Sequence, residues 1–372
     1  MKTVVIGISG GVDSSVAALV LKKMGFNVIG VFMQNWDNLV NNELNYKSKY
    51  DSCDSYADFE YASHVCQQLD IPLHKVDFIS EYWNKVFLKF IDGYKSGKTP
   101  NPDVLCNKYI KFNEFAKYCF DKFKCDYIAT GHYARVNYDK DYYSLNMALD
   151  KHKDQTYFLC ELSQQQLSKV IFPLMHLTKK QVRQIAKKYN LESWNKKDSM
   201  GICFIGKRNF KDFLSNYIEE KQGNIIDIYT KQIIGTHNGA FFYTIGQRKG
   251  LNLGGNKNKN FVCKKDIEKN ILYVANVEQE YKFLYSNKCL IKNFNWIGKI
   301  PDNNSVKVRF RHCQKLINST FELINDNVLL NYEETKSVTT GQYAVLYYEN
   351  RCLGGGEISE VTNLVDYEKN DI

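Results

Sequence analysis

The sequence predicts an α/β protein built from an N-terminal parallel-sheet domain, a small mixed central domain and a C-terminal β-barrel. Three observations predict this architecture. Apolar strand patterns alternate with helical patterns as far as about residue 205, short β segments separated by glycines follow from Asn224, and period-two segments dominate the remainder. A chain of 372 residues, 44% of them hydrophobic, is also too long for a single core. We therefore predict domains at 1–205, 206–280 and 281–372.

The N-terminal domain opens with a strand–helix–strand unit. Residues 3–8 are a short apolar run typical of a buried strand, residues 14–24 carry the apolar spacing of a packed helix, and Gly25 ends it. A second strand at 27–33 then completes a unit whose crossover should be right-handed, as in parallel sheets. Further strands are predicted at 73–78 and 127–130, and helices at 54–69, 79–94, 107–123 and 179–189.

The remaining two domains are predicted mainly from β patterns. The run Ile-Ile-Asp-Ile-Tyr at 225–229, followed by closely spaced glycines, indicates a small mixed domain with a loop tip at 256–260. Alternating segments at 305–310 and 343–348 are separated by turns and lack helical periodicity. They favour a closed or nearly closed β-barrel.

Composition restricts the class of protein. The formal charge of +9 favours a polyanionic partner, although widely spread lysines are also typical of a solvated surface. The cysteine count is eleven, an odd number with no Cys-x-x-Cys pair, which argues against a disulfide framework and predicts no metal site. The apolar N-terminal stretch is broken by glycines and Asp13, so we expect no signal peptide or membrane span and a cytoplasmic protein.

A glycine-rich loop, Ser9-Gly10-Gly11-Val12-Asp13-Ser14-Ser15, joins the first strand to the first helix. Its glycines permit close backbone approach, and the helix N-terminus presents amides that can hold phosphate. No Gly-Lys-Ser/Thr follows, which makes transfer of a γ-phosphate the weaker inference. Residues 7–11 also match the hydrolase elbow Gly-x-Ser-x-Gly, but only eight residues precede Ser9, where that fold needs several strands. A purely structural glycine–serine turn remains an alternative.

Two cysteines lie in segments with unusual local chemistry. Cys106 follows two prolines and precedes a predicted helix, whose dipole would stabilise its thiolate; a buried structural cysteine is the alternative. Asp103, three residues earlier, is either a general acid or base or simply the cap of that helix. Cys203 lies between Gly201 and Gly206, where a turn could expose it, although it is also flanked by apolar residues typical of burial.

Several motifs identify a family. Ser9 to Ser14 resembles the pyrophosphate-binding loop of the ATP pyrophosphatase (PP-loop) superfamily, whose members activate a substrate oxygen as an adenylate. Beyond it, the whole chain resembles the bacterial-type tRNA-specific 2-thiouridylases, in family order and across all three predicted domains. The matching segments are Thr-Pro-Asn-Pro-Asp-Val-Leu-Cys-Asn-Lys at 99–108, Ala-Thr-Gly-His-Tyr-Ala-Arg at 129–135, Lys-Asp-Gln-Thr-Tyr-Phe-Leu at 153–159, Gly-Ile-Cys-Phe-Ile-Gly at 201–206, Thr-Ile-Gly-Gln-Arg-Lys-Gly-Leu at 244–251, Gly-Gln-Tyr-Ala-Val at 341–345 and Cys-Leu-Gly-Gly-Gly at 352–356.

The resemblance implies a fold and a reaction. The N-terminal domain would be a PP-loop, adenine nucleotide alpha hydrolase-like domain, and the protein a sulfurtransferase that 2-thiolates the wobble uridine of tRNA. ATP would adenylate the oxygen at C2, and sulfur from a cysteine persulfide would replace it, releasing AMP and pyrophosphate. Cys203 would carry the persulfide, and Cys106 would help release the sulfur, either by a disulfide with Cys203 or after hydrosulfide is liberated. Asp103 would be the general acid or base.

The resemblance also implies binding residues and partners. The partners would be tRNA with a wobble uridine and a sulfur-relay persulfide donor protein, the chain being otherwise monomeric and membrane-free. Asn101, Pro102 and Asp103 would contact the target base. ATP, as its Mg²⁺ complex, would be held by Gly7, Ile8, Ser9, Gly10, Gly11, Val12, Asp13, Ser14, Met33 and Gly131. Other tRNA contacts would come from His132, Lys153, Asp154, Gln155, Arg309, Phe310 and Gln342.

Some positions depart from the family pattern, and two rival functions remain. Met147, Met200, Phe310 and Thr340 replace the more usual arginine, small hydroxyl residue, tyrosine and proline, which weakens individual tRNA contacts more than the reaction. Another adenylating synthetase or thiolase would keep the phosphate loop but has no reason to keep the segments at 99–108 and 201–206. An RNA-binding protein with a vestigial nucleotide site is disfavoured because the loop and both cysteines are intact.

Overall fold

The computed structural model describes residues 1–37, 54–198, 201, 210–253 and 259–364. Its first part alternates strands with helices. In chain order the elements are β1 (Thr3–Gly7), α1 (Val12–Lys23), β2 (Asn27–Gln34), α2 (Asp54–Gln68), β3 (Leu73–Asp77), α3 (Ile79–Tyr82), a π-helical segment (Trp83–Phe87), α4 (Leu88–Lys95), α5 (Pro102–Cys106), a second π-helical segment (Asn107–Glu114), α6 (Phe115–Phe123), β4 (Tyr127–Ala129), β5 (Ala134–Asp139), β6 (Tyr142–Met147), a 3-10 turn (Thr156–Leu159), α7 (Gln164–Leu167), β7 (Val170–Ile171), α8 (Lys179–Lys188), another 3-10 turn (Glu192–Asn195) and α9 (Phe210–Ser215).

Five strands form the predicted parallel sheet, in the order β3-β2-β1-β4-β7. Apolar side chains cover both faces: Val5 and Val31 pack against the helices from α3 to α6, while Val4 and Ile6 pack against α1 and α8. The strand order reverses between β1 and β4, so their carboxyl ends flank a crevice of the kind in which open α/β sheets bind ligands. The prediction of a parallel α/β domain is confirmed.

The helix that contains Cys106 begins earlier than the predicted residue 107. Pro102 occupies the first turn of α5, and the side chain of Asn101 caps it by accepting a hydrogen bond from Val104 N at 3.3 Å. The prolines suggested an extended path, but proline fits the first helical position because the amide it lacks has no intrahelical partner there. Cys106 therefore lies within a continuous helix and not before one.

A β-hairpin within the first part was not predicted. Strands β5 and β6 pair antiparallel with each other, and β6 pairs with a strand near the C-terminus through Asn146 opposite Arg351 and Leu145 opposite Cys352. The hairpin thus belongs to the N-terminal part in sequence and to the C-terminal sheet in space.

The second part is a small mixed sheet, as predicted. Its strands β8 (Gly223–Asp227), β9 (Ile233–His237), β10 (Asn260–Asp266) and β11 (Ile271–Asn276) are followed by α10 (Glu280–Leu284), with 3-10 turns at Ala240–Phe242 and Val277–Gln279. The strand order is β10-β11-β8-β9, and the β8–β11 pair is parallel. Residues 256–258 of the predicted loop tip lie outside the described residues.

The third part confirms the predicted barrel. It comprises β12 (Tyr285–Trp296), β13 (Ser305–Arg309), β14 (Ile317–Ile324), β15 (Asn327–Lys336), β16 (Tyr343–Tyr348) and β17 (Arg351–Asn363). These strands pair in the order β12-β15-β14-β13-β16-β17, and β12 also pairs with β17, which closes the ring. Gly354 has φ +123°, and a Cβ there would lie 1.8 Å from the carbonyl oxygen of Asn295. The glycine run at 354–356 therefore allows β17 to approach β12 closely.

Within the described residues, helices are too short or too polar to traverse a lipid bilayer.

Candidate active site

The phosphate loop lies at the carboxyl end of β1 and leads into α1. Hydroxyl groups hold its shape: Ser14 Oγ accepts from Ser9 N at 3.2 Å and donates to Gly11 O at 3.0 Å, and Ser15 Oγ donates to Gly11 O at 2.9 Å. Gly11 is the N-cap residue of α1 and supplies no capping side chain. The first-turn amides of a twelve-residue helix are thus available to an anion, in a loop that is already formed.

Glycine is required at one position in this loop and at one position beside it, because backbone atoms approach closely at both. Gly10 has φ +72°, and a Cβ there would lie 2.1 Å from the carbonyl oxygen of Asp58 in α2. Gly131, just after β4, contacts the start of α1, and its Cβ would lie 2.8 Å from Ser14 N. Met33 Cε would lie 3.2 Å from a Cβ on Gly7. The structure therefore brings Met33 and Gly131 to the two sides of the predicted phosphate loop.

Gly131→Ala is expected to weaken the binding of a nucleotide phosphate in this loop about fivefold to a hundredfold. The added methyl would push against the Ser14 backbone, and overpacking of this kind costs about 1–3 kcal/mol. The dissociation constant for ATP, the ligand that the resemblance implies for this loop, tests this, with thermal unfolding run in parallel. An unchanged dissociation constant would mean that the loop tolerates the displacement.

Asp13, in the first turn of α1, is held by two partners. Lys179 Nζ donates to both carboxylate oxygens at 2.8 and 2.7 Å, and the phenol of Tyr133 donates to Oδ1 at 2.7 Å. Burial and the adjacent Asp13 carboxylate raise the pKa of Tyr133, which keeps the phenol protonated as a donor. Lys179 begins α8 directly after Thr178, whose capping box fixes the start of that helix. The orientation of Asp13 is thus determined by residues far away in sequence.

Asp198 forms ion pairs with three cationic side chains near the Asp13 carboxylate. It pairs with Lys153 at 2.7 Å, Lys179 at 2.9 Å and Arg183 at 2.6 Å. Partial burial opposes ionisation of Asp198, but hydrogen bonds from Lys153 and Lys179 outweigh it and lower its pKa to about 2. Lys179 therefore bridges Asp13 to a carboxylate that stays ionised at all physiological pH values.

The depressed pKa of Asp198 predicts a pH-dependent contribution to stability. A carboxyl whose folded-state pKa is lowered stabilises the fold above its ordinary pKa of 3.8, and this contribution is lost as pH falls through about 2. Asp198→Asn is thus expected to lower the free energy of unfolding at pH 7, and by less at pH 3. Denaturant titrations of both proteins at the two pH values measure this. A deficit independent of pH would contradict the ion-pair explanation.

A buried amide lies beside the crevice, just past the end of β2. Asn35 is 1% exposed, and in the part of the chain that the structure describes neither its side-chain nitrogen nor its oxygen has a hydrogen-bond partner. Each such unsatisfied group costs about 1–3 kcal/mol. Asn35 lies two residues beyond Met33, and its adjacent donor and acceptor complement the edge of an adenine. The loop and this amide together fit an adenine nucleotide.

The Cys106 segment lies on the other side of the sheet from α1. The Cys106 side chain is completely buried, in the same core cluster as Val104 and Ile110. Asn101 caps α5, so the capping interpretation of Asp103 is wrong; its half-buried carboxylate lies in the first turn, where the helix dipole favours negative charge. Cys203 and the departure at Met200 lie outside the described residues.

Two of the residues expected to contact tRNA are in the interior. His132 is 9% exposed, hydrogen-bonded to Thr130 at 2.7 Å and packed against the rings of Phe112 and Phe172. Burial, with Lys111 nearby, lowers its pKa well below the ordinary value and leaves the imidazole neutral. Phe310 is 2% exposed and packs against another ring in the barrel core, 4.7 Å between centroids. In this structure both side chains serve packing.

Five of the other residues expected to contact tRNA bond to the protein itself, namely Gln342, Arg309 and residues 153–155. Gln342 donates to the carbonyl oxygen of Thr99 at 2.7 Å, which ties the barrel to the segment that leads to Asn101 and Cys106. The side chains of 153–155 and Arg309 also bond internally. No feature of the sequence alone marks Tyr133, Lys179, Asp198 or Asn35 as a site residue. Tyr133 lies within the family motif at 129–135, which could have drawn attention to it. Lys179, Asp198 and Asn35 have no motif or spacing that distinguishes them from other polar residues.

Among the described residues, no group of three or more His, Cys, Asp or Glu side chains is arranged to hold a metal ion.

Models of known protein families match each of the three parts of the chain. Three family models match in order: a tRNA methyl transferase HUP domain over residues 2–207, a tRNA methyl transferase PRC-barrel domain over 211–276 and an aminomethyltransferase beta-barrel domain over 286–358.

Curated relatives match over nearly the full length. A tRNA-specific 2-thiouridylase MnmA of Malacoplasma penetrans is 57% identical over 98% of this chain and 100% of its own. Proteins of the same name from Ureaplasma parvum and Mycoplasma capricolum are 52% and 48% identical, covering 98% and 96% of this chain and 95% and 98% of theirs. The chain belongs to the family of tRNA-specific 2-thiouridylases.

Proposed function

We propose that this protein catalyses the ATP-dependent 2-thiolation of the wobble uridine of tRNA. One observation carries the proposal. A preformed phosphate loop, with Asp13 held by Lys179 and Tyr133, lies in a chain that shares 57% of its residues with a relative named tRNA-specific 2-thiouridylase. An adenylating site explains the loop, and a thiouridylase explains why such a chain also carries Cys106 and Cys203.

ATP would bind across the carboxyl edge of the parallel sheet. The amides of Gly10 to Ser14 would hold its phosphates, with Gly7, Ile8 and Ser9 forming the preceding wall. Met33, Asn35 and Gly131 would border the rest of the nucleotide. Mg²⁺ would enter with the triphosphate, to which it ordinarily coordinates.

The chemistry requires three displacements, at the α-phosphorus of ATP, at C2 of the base and at Sγ of Cys203. The C2 oxygen of uridine first attacks the α-phosphorus of ATP, and pyrophosphate leaves. A carbonyl oxygen is a poor leaving group until it is adenylated, after which the terminal sulfur of a Cys203 persulfide attacks C2 and AMP departs with the oxygen. Thiolate attack by Cys106 on Cys203 Sγ then cleaves the S–S bond, leaves sulfur on the base and forms a Cys106–Cys203 disulfide, unless Cys106 has already liberated hydrosulfide. An external thiol reductant returns both cysteines to thiols.

The surroundings of Cys106 provide for the target base. Asn101, Pro102 and Asp103 form the start of α5, one turn before Cys106, so a base bound there would lie close to this cysteine. Because the Cys106 side chain is completely buried in this structure, its reaction with Cys203 would require a local opening of the segment. We assign Asp103 the role of general acid or base, and we propose that the base is extracted from its stack to reach it. tRNA and a persulfide donor protein are the proposed partners of a monomeric enzyme, which we expect in the cytoplasm with its tRNA substrate.

The test combines purified protein with ATP, an unmodified tRNA carrying a wobble uridine and a persulfide donor, and measures 2-thiouridine in the digested RNA. Thiouridine that depends on ATP, with matching release of pyrophosphate, is the expected result. Supplying a methyl donor in place of ATP and persulfide is expected to yield no product. Binding of both tRNA and ATP without thiouridine would overturn the proposal and favour an RNA-binding role.

A further inference from the structure

The Lys-Asp-Gln segment at 153–155 joins two distant parts of the molecule. Its aspartate bonds to the barrel, and its lysine and glutamine lead to the phosphate loop. The resemblance assigns these side chains to tRNA, whereas the structure uses all three inside the protein. That internal use needs an explanation of its own.

The barrel end of the segment is a buried ion pair. Asp154 Oδ2 accepts from Arg309 Nη1 at 2.9 Å, and both side chains are almost inaccessible to solvent. The Thr156 hydroxyl and Ala148 N also donate to Asp154, at 2.8 and 3.2 Å, and the guanidinium lies over the Tyr347 ring. A buried pair with this many partners holds its geometry firmly, because either charge alone would be costly. Strand β13 is thereby fixed to the segment.

The loop end follows two routes that converge on Asp13. In the first, Lys153 bonds to Asp198 at 2.7 Å, and Lys179 connects Asp198 to Asp13. In the second, Gln155 accepts from Tyr133 N at 3.0 Å through its side chain and donates from its backbone to Tyr133 O at 2.9 Å, while the Tyr133 phenol donates to Asp13. Because each route restrains the Asp13 carboxylate by itself, the two routes are redundant.

We infer that residues 153–155 are positioning residues, which set Asp13 and the phosphate loop at a fixed distance from the barrel. The inference rests on the proposed function, in which a tRNA base at the start of α5 reacts with ATP in the phosphate loop. Gln342 ties the segment before α5 to the barrel, so the distance from loop to barrel also sets the distance from loop to base. Rate depends steeply on such alignment, since a displacement of about 1 Å can cost about a hundredfold. The segment acts through the loop and does not touch the reacting atoms.

Tyr133→Phe and Lys153→Ala test the two routes. Each removes one link and leaves the buried Asp154–Arg309 pair intact. Each single variant is expected to lower the kcat of thiolation by less than about fivefold, and the double variant by about fiftyfold or more, because redundant links fail together. The dissociation constants for ATP and for tRNA, measured separately, are expected to change by less than about threefold.

Lys151→Ala, an exposed neighbour on the same loop, is the matched control and is expected to match the unmodified protein. Lys153→Arg is expected to restore kcat in the Tyr133→Phe background, which a general loss of stability would not allow. A tenfold weaker affinity for tRNA in Lys153→Ala with kcat unchanged would overturn the inference in favour of direct contact with RNA. Additive effects in the double variant would overturn it too. Absence of thiolation in the unmodified protein would instead refute the proposed function.

Discussion

Cys203→Ser is expected to lower thiolation from a persulfide donor at least about a thousandfold, the usual scale for loss of a covalent nucleophile. A serine hydroxyl cannot accept the sulfur, so no persulfide forms. ATP consumption should nevertheless continue when tRNA is present, because the adenylation step uses the phosphate loop and not this side chain. Thiouridine formation and pyrophosphate release, measured on the same sample, separate the two steps.

The matched variants refine this result. Cys106→Ser is expected to stop the release of sulfur from Cys203. The sulfur stays there as the persulfide on the hydrosulfide route, or as a covalent Cys203–S–S–tRNA adduct on the disulfide route, and in both cases the protein accepts sulfur once and does not turn over. Cys313 is an exposed thiol in the barrel, and Cys313→Ser is expected to be fully active. Free sulfide at high concentration can bypass the relay, so the persulfide donor is essential. Normal turnover by Cys203→Ser with that donor would exclude the relay.

Asp13→Asn is expected to reduce ATP cleavage about a hundredfold while tRNA binding stays intact. The amide keeps the shape but loses the charge that holds Lys179, and it leaves that ammonium to Asp198 alone. Charge-assisted hydrogen bonds are roughly twice as strong as neutral ones, so the loop would lose its firmest restraint. Release of labelled pyrophosphate at saturating tRNA measures the effect.

Asp70→Asn is the control for Asp13→Asn. Asp70 is a fully exposed aspartate of the same domain, and its contact with Lys22 is long, at 3.5 Å. Exposed pairs of this kind contribute about 0–1 kcal/mol, so this variant is expected to cleave ATP normally. If Asp13→Asn also cleaved ATP at the normal rate, Asp13 would have no part in the reaction.

The features that the sequence predicts well are local ones. Alternating strands and helices, and a loop such as Ser9 to Ser14, are determined by residues close together in the chain, and the structure confirms them. The predicted start of the helix at residue 107 was wrong, because the helix already begins with α5 at Pro102. Proline is compatible both with an extended path and with the first turn of a helix, so the two prolines did not decide between them. Asn101 determines where the helix starts, because its side chain caps the first turn of α5.

The organisation around Asp13 could not be predicted because it depends on distant contacts. Lys179 is 166 positions from Asp13, and Arg309 is 155 positions from Asp154. No periodicity or motif spacing encodes such pairs. The family resemblance named Asp154 and Arg309 separately, but it gave no reason to expect them to bond to each other.

The hairpin of β5 and β6 makes the barrel a poor candidate for removal. Cutting the chain after the second part would leave β6 without the strand that it pairs with at 351–352, and would expose an edge able to recruit strands from other molecules. The same cut would remove Arg309, the cation that pairs with the Asp154 carboxylate. A shortened protein that keeps only the nucleotide-binding part is therefore expected to aggregate. In chimaeras made from two relatives, the hairpin and the barrel should come from the same parent.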